Sequence, residues 1–214
     1  MFQGKLRGLI FDFDGTLVLS NSIKKQAFIK VAAPYQNGSI IMQTLLKNGQ
    51  KDRHGILKEF CKINGIVSHY HKLVHEFNEI TTREVVAAKE VLGAREFLEY
   101  VRNDLRLVTC INTATPATEI NKILELKCWA HFFDLVLGSG KGKLKNNIFA
   151  AKFFGIQPSE WLIIGDSNDD YEGAQGFGAR FLAVEPLEQR ITSDVKFKVR
   201  DYNSLHNSLI EGGK

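Results

Sequence analysis

Residues 8–22 read GLIFDFDGTLVLSNS, and the fold turns on this stretch. The apolar run over residues 6–13 is short and nearly continuous, the pattern of a strand covered on both faces in a parallel sheet. It closes on two aspartates, Asp12 and Asp14, with Gly15 behind them. Carboxylates this close repel, so together they draw in a cation or raise a pKa. An aspartate-rich turn pivoting on Gly15 is the plainer reading of the same letters. The remaining strand ends choose between the two.

Four more apolar runs follow, over residues 105–111, 133–137, 161–164 and 179–184. Helical patterns lie between them, at 94–102, 117–126, 146–154 and 171–177. Strands alternating with helices imply right-handed crossovers and an α/β fold, an open doubly wound parallel sheet with helices on both faces. Residues 18–88 break the rhythm, with helical patterns at 24–32, 55–63 and 70–88 and no convincing strand. Asn37-Gly38 and Asn48-Gly49 read as turns within that segment. The expected organisation is a core from residues 1–17 and 89–214, with a helical insertion over 18–88 that re-enters the core near 89–93.

The 214 residues are 44% hydrophobic and 24% charged, enough for a real core and a sizeable insertion. A net charge of +4, spread along the chain, suits an anionic small molecule and does not argue for nucleic acid. Cys61, Cys110 and Cys128 show no metal spacing and cannot all pair, so a reducing, cytoplasmic setting is expected. No signal-peptide pattern and no run of ~18 apolar residues is present, so no membrane partner is expected. The expected state is a monomer or homodimer. His69, His71 and His75 do not make a convincing metal set. Phe132, Phe133, Phe153 and Phe154 read as core, and Cys110 as a small buried hydrophobe.

Ligands of open parallel sheets sit beyond the carboxyl ends of the strands. Polar residues gather there four times: Asp12 and Asp14, then Thr113 and Thr115, then Lys143, then Asp166 and Asp170. Turn chemistry alone does not put acids, a hydroxyl and an amine at four separate strand ends.

Order and spacing resemble the haloacid dehalogenase superfamily, and the resemblance runs the length of the chain. Its D-x-D-G-T motif is similar to Asp12 to Thr16, and its hydroxyl after an apolar strand to the threonines of NTATP at 112–116. Its lysine falls in GSGKGKLKNN at 138–147, and its G-D-S-x-x-D motif in GDSNDD at 165–170. LGAREFLEYV, at 92–101, resembles the segment that re-enters a Rossmann-like core after a cap. The branch it looks most like is that of the phosphoglycolate phosphatases.

The resemblance implies a Mg²⁺-dependent phosphatase acting on a small phosphorylated metabolite. Asp12 is then the nucleophile that accepts the phosphoryl group, and Asp14 the general acid and base. Mg²⁺ would be held by the side chains of Asp12 and Asp166 and the backbone carbonyl of Asp14. Asp170 would join the site as a ligand, directly or through water, or as a hydrogen-bond acceptor behind the ligands, with Asp169 as a neighbouring competitor. Thr113 and Lys143 would hold phosphoryl oxygens; Lys143 is preferred to Lys141 and Lys145 by its distance from Gly138. Thr115, before Pro116, is open as a helix cap instead. Asn112 stands where the family usually has an apolar residue. In KNGQKDRHGILKEF, at 47–60, Gly49 and Arg53 resemble a substrate-specificity loop, and Arg53 reads equally as a ligand for a second anion or as a solvated helix-start residue. The alternatives are a phosphomutase of the beta-phosphoglucomutase type and a non-catalytic binding protein on the same fold.

Overall fold

The computed structural model describes residues 5–47, 53–186, 191–192 and 194–205. Asn48 and Gly49, expected in a turn, lie outside these residues. The chain divides into two compact units, Ser20–Ala87 and the remainder.

The larger unit begins with β1, Gly8–Phe11, every residue of which is buried. The chain then leaves for the helical unit, made of α1 (Asn21–Ala32), α2 (Gly38–Lys47), α3 (Arg53–Ile63) and α4 (Tyr70–Ala87). On return come α5 (Ala94–Tyr100), which runs into a wider turn over Val101–Leu105, then β2 (Val108–Asn112), α6 (Ala117–Leu126) and β3 (Leu135–Leu137). After these follow α7 (Lys143–Phe154), β4 (Trp161–Gly165), α8 (Asn168–Phe177), β5 (Arg180–Val184) and the two-residue β6 (Lys198–Val199).

The six strands lie in the order β3-β2-β1-β4-β5-β6, and every pairing is parallel. The chain builds outward from β1 to one edge, then crosses back to start the other half at β4. Strand order therefore reverses between β1 and β4, the place where such sheets open a crevice at their carboxyl ends. Alternation along β1 feeds both faces. Ile10 lies level with Cys110 and Ile163, and all three join the cluster of Ala150 and Ala151 from α7 with Ala174 and Phe177 from α8. Phe11 points the other way, its ring 6.3 Å from those of Phe97 and Phe133 and 6.4 Å from that of Tyr202.

The chain departs and returns side by side. Leu19 N–H donates to the Lys89 carbonyl and Val91 N–H to the Leu17 carbonyl, each at 2.9 Å, with Val18 bridged to Glu90. This pairing keeps Val18 and Leu19 with the sheet unit, so the helical unit begins at Ser20, two residues later than expected. Within the helical unit, Phe28 of α1 meets Phe77 of α4 at 4.4 Å between ring centroids. Burying each ring is worth roughly 1.5–3 kcal/mol. The exposed Lys30–Glu84 ion pair beside them (2.7 Å) is worth at most about 1 kcal/mol. Aromatic burial therefore holds α1 on α4.

Two expectations need correction. Phe153 is 63% exposed, because it extends the outer face of α7, whereas Phe132 and Phe133 are buried. Asn37 does turn, in the left-handed region (φ 52°), but Gly38 already opens α2, a helix the sequence pattern did not reveal. Among the described residues, no helix is long and apolar enough to cross a membrane.

Candidate active site

Asp12 directly follows β1, and its N–H donates to the Ile164 carbonyl (2.9 Å), so the ladder to β4 runs one residue past the strand. The register sets Asp12 abreast of Asn112 and Gly165. Behind it the chain doubles back: Gly15 has φ 83°, a left-handed conformation natural to glycine, and its N–H donates to the Val18 carbonyl at 2.7 Å. That turn delivers two polar side chains. Thr16 Oγ1 donates to Asp166 Oδ1 (3.1 Å), and Asp14 Oδ2 accepts from Thr115 Oγ1 (2.9 Å).

The helix-cap reading of Thr115 does not hold. Pro116 occupies the cap position of α6; the Thr115 hydroxyl donates to Asp14 Oδ2, and Thr115 N–H bonds back to Thr113 Oγ1 (3.1 Å). Thr113 itself stays at the sheet, its N–H on the Leu137 carbonyl (3.0 Å).

Lys143 is the first residue of α7, behind Gly142, which has a positive φ (80°) and an extended ψ (159°). Its Nζ donates to Asp12 Oδ1 (2.5 Å), to Asp170 Oδ1 (2.7 Å) and to the Asn112 carbonyl (2.6 Å). A cation at a helix start opposes the dipole; two ion pairs outweigh that cost. Lys141 and Lys145 are exposed.

Asp170 reaches the site through a capping box. Ser167 Oγ accepts from Asp170 N–H (3.2 Å), and Asp170 Oδ2 accepts from Ser167 N–H (3.2 Å) and Oγ (2.5 Å). The bend that allows this needs Gly165, since a Cβ there would lie 2.5 Å from Asp170 Cβ and Cγ. Asp169 is exposed and outside the cluster.

Asp12, Asp166 and Asp170, all buried, offer oxygens within 4.8 Å of one another. Burial holds the Asp12 carboxyl well above the usual carboxylate range; Lys143 opposes this, while Asp170, Asp166 and Asp14 add to it. Burial works against the Lys143 ammonium too, but attraction to Asp12 and Asp170 outweighs it and leaves the pKa above the ordinary lysine value. One ammonium against four acids leaves negative charge uncompensated. An all-oxygen donor set with that surplus fits a hard divalent cation such as Mg²⁺.

The sequence profile of the haloacid dehalogenase-like hydrolases matches residues 9–184. The chain belongs to this family. As a haloacid dehalogenase-like hydrolase it is 21% identical, over 187 residues, to the pyrophosphatase PpaX of Bacillus cereus strain AH820, covering 84% of this chain and 83% of PpaX. Two solved structures share its fold. CbbY from Rhodobacter sphaeroides, in complex with xylulose-(1,5)bisphosphate, superposes with a TM-score of 0.72 at 13% identity, over 94% of this chain and 96% of CbbY. YfnB from Bacillus subtilis, bound to magnesium, gives 0.71 at 20% identity, over 97% and 100%.

The strand ends of this hydrolase thus bring together Asp12, Asp14, Lys143, Asp166 and Asp170, with Thr113 linked to Asp14 through Thr115. Arg53 belongs to the helical unit, where it donates to Asn78 Oδ1 (2.7 Å) and covers the Phe77 ring at 5.5 Å. Sequence reasoning assigned nothing to Thr16, Asn146 or Asn147. For Thr16 the signal was present, since it closes the D-x-D-G-T motif.

Proposed function

We propose that this hydrolase is a Mg²⁺-dependent phosphatase that cleaves a small phosphorylated metabolite through an aspartyl phosphate on Asp12. The observation that carries the reading is a buried carboxylate at the β1 end, ion-paired to Lys143 and faced by two further buried acids. Asp12 attacks phosphorus and the bond to the leaving oxygen breaks, with Asp14 giving that oxygen its proton. Asp14 then takes a proton from water, whose oxygen bonds to phosphorus as the Asp12–phosphorus link opens and phosphate leaves. Thr115, hydrogen-bonded to Asp14, keeps that carboxyl oriented for both transfers. Thr113 and Lys143 would steady the phosphoryl oxygens, where charge gathers in the transition state. Mg²⁺, held by Asp12, Asp166, the Asp14 carbonyl and Asp170, would offset the repulsion between the attacking carboxylate and an anionic substrate.

The named relatives, a pyrophosphatase and a protein complexed with a sugar bisphosphate, set the range of substrates to try. The test is a panel of phosphorylated metabolites, pyrophosphate and sugar phosphates included, scored for released phosphate in ¹⁸O-labelled water. Labelled phosphate should form with Mg²⁺, vanish in excess chelator, and fall below about a hundredth of the wild-type rate in Asp12→Asn. An Asp12→Asn variant that keeps its rate would remove the nucleophile. Isomerised sugar phosphate with little free phosphate would point to a mutase.

A further inference from the structure

β2 closes on Asn112, an amide only 3% exposed at the end of an otherwise apolar strand end. Every polar atom of this side chain is used. Its Nδ2 donates to the Lys143 carbonyl (2.9 Å) and to Asn147 Oδ1 (2.7 Å), and its Oδ1 accepts from Asn146 Nδ2 (2.9 Å). Its own backbone carbonyl accepts from Lys143 Nζ (2.6 Å). One residue thus grips Lys143 at both ends, the amide on its carbonyl and the carbonyl on its ammonium.

The two other amides widen the grip. Asn146 Nδ2 also donates to the Gly138 carbonyl (3.1 Å), and Asn147 Nδ2 to the Gly173 carbonyl of α8 (3.2 Å). Three buried amides therefore tie the first turn of α7 to the end of β2, the loop after β3, and α8. Apolar side chains could fill the same junction with no hydrogen bonds to satisfy. What the amides add is direction, since each bond fixes the rotation and height of α7 where the ammonium begins. A long, flexible lysine placed against a helix dipole needs that constraint to meet one oxygen of Asp12.

We propose that Asn112, backed by Asn146 and Asn147, is a positioning residue that sets the Lys143 ammonium against Asp12, an inference that rests on the phosphatase reading above. Acetylation with sulfo-N-hydroxysuccinimide acetate, read by mass spectrometry, tests it. Exposed Lys141 and Lys145 serve as internal references on either side. In the wild type, Lys143 should react at least about tenfold more slowly than Lys145, its amine being buried and fully bonded. In Asn112→Ala that protection should fall to within about threefold, and kcat on p-nitrophenyl phosphate should drop about 10- to 100-fold with KM little changed.

A second variant guards against a mere loss of fold. Asn112→Val combined with Asn146→Ala and Asn147→Leu removes the whole network and leaves no amide side chain orphaned. It should melt cooperatively, acetylate at Lys143 and show the same fall in kcat. Protected Lys143 with unchanged kcat in either folded variant overturns the proposal, as does a wild type whose Lys143 reacts as fast as Lys145. Should the wild type hydrolyse no ester at all, the phosphatase reading falls, yet the acetylation contrast still decides whether Asn112 places the ammonium.

Discussion

Asp12 and Cys110 sit on neighbouring strands of one sheet, and burial raises the pKa of both, opposed only at Asp12 by the ammonium of Lys143 beside it. Burial pushes the Cys110 thiol up, and Asp134 pushes it further, so Cys110 stays protonated and unreactive; burial raises Cys61 as well. Cys128 is exposed. Titration of the folded protein with a disulfide reagent should therefore modify Cys128 alone, and all three cysteines after denaturation; fast loss of a second thiol in the folded state would contradict the packing. Arg53 poses a sharper question, since its contact with Asn78 gives it a structural task. We propose that it also selects the leaving group. Arg53→Ala should then raise KM for the best metabolite about tenfold or more and leave p-nitrophenyl phosphate hydrolysis unchanged. Equal losses on both would place Arg53 in a structural role within the helical unit, against Asn78 and Phe77. The acids and Lys143 were legible in the sequence because a charge at a strand end states its own chemistry. Asn112 was not, since its meaning lies in partners 31 and 35 positions away.

At the scale of elements, the five longer strands stood out as apolar runs, while β6 has two residues and no period to detect. Helix starts were read late, and for a physical reason. The expected helix at 171–177 begins at Asn168, because Ser167 and Asp170 form the capping box that the functional motif disguised. The helix expected at 146–154 begins at Lys143, since Gly142 caps it with no side-chain signal. In both cases the missed turn is the one that carries a site residue. The two roles of Asp170, cap and acid-cluster member, make Gly165 critical. Gly165→Ala places a methyl 2.5 Å from Asp170 Cβ, in a backbone conformation that alanine otherwise accepts. Asp170 must move, and kcat should fall by about a hundredfold or more. The lost cap should cost about 1 kcal/mol of stability. Activity unchanged in Gly165→Ala would show that Asp170 can serve from elsewhere.

For the whole molecule, the sheet order does the assembling. Because strand order reverses between β1 and β4, Asp12 and Asp166 come together from opposite halves of the sheet, 154 positions apart in a chain whose first acids are already at its twelfth residue. The insertion leaves this arrangement undisturbed, its two connections paired at Leu17–Leu19 and 89–91. The cost of the gathering is electrostatic: Asp12, Asp166 and Asp170 repel within 4.8 Å, and Lys143 offsets only part of it. Stability and function should therefore pull apart. In metal-free protein, Asp166→Asn should leave the melting temperature unchanged or raise it, because it removes one repelling charge while an amide oxygen can still accept from Thr16. Mg²⁺ at a hundred times its Kd should stabilise the wild type by about 2.7 kcal/mol, a rise in melting temperature of about 5–10 °C. Asp166→Asn should lose that rise along with phosphate release. If Mg²⁺ raises both melting temperatures equally, the cation binds elsewhere. If metal-free Asp166→Asn melts well below the wild type, the carboxylate is holding the fold rather than straining it.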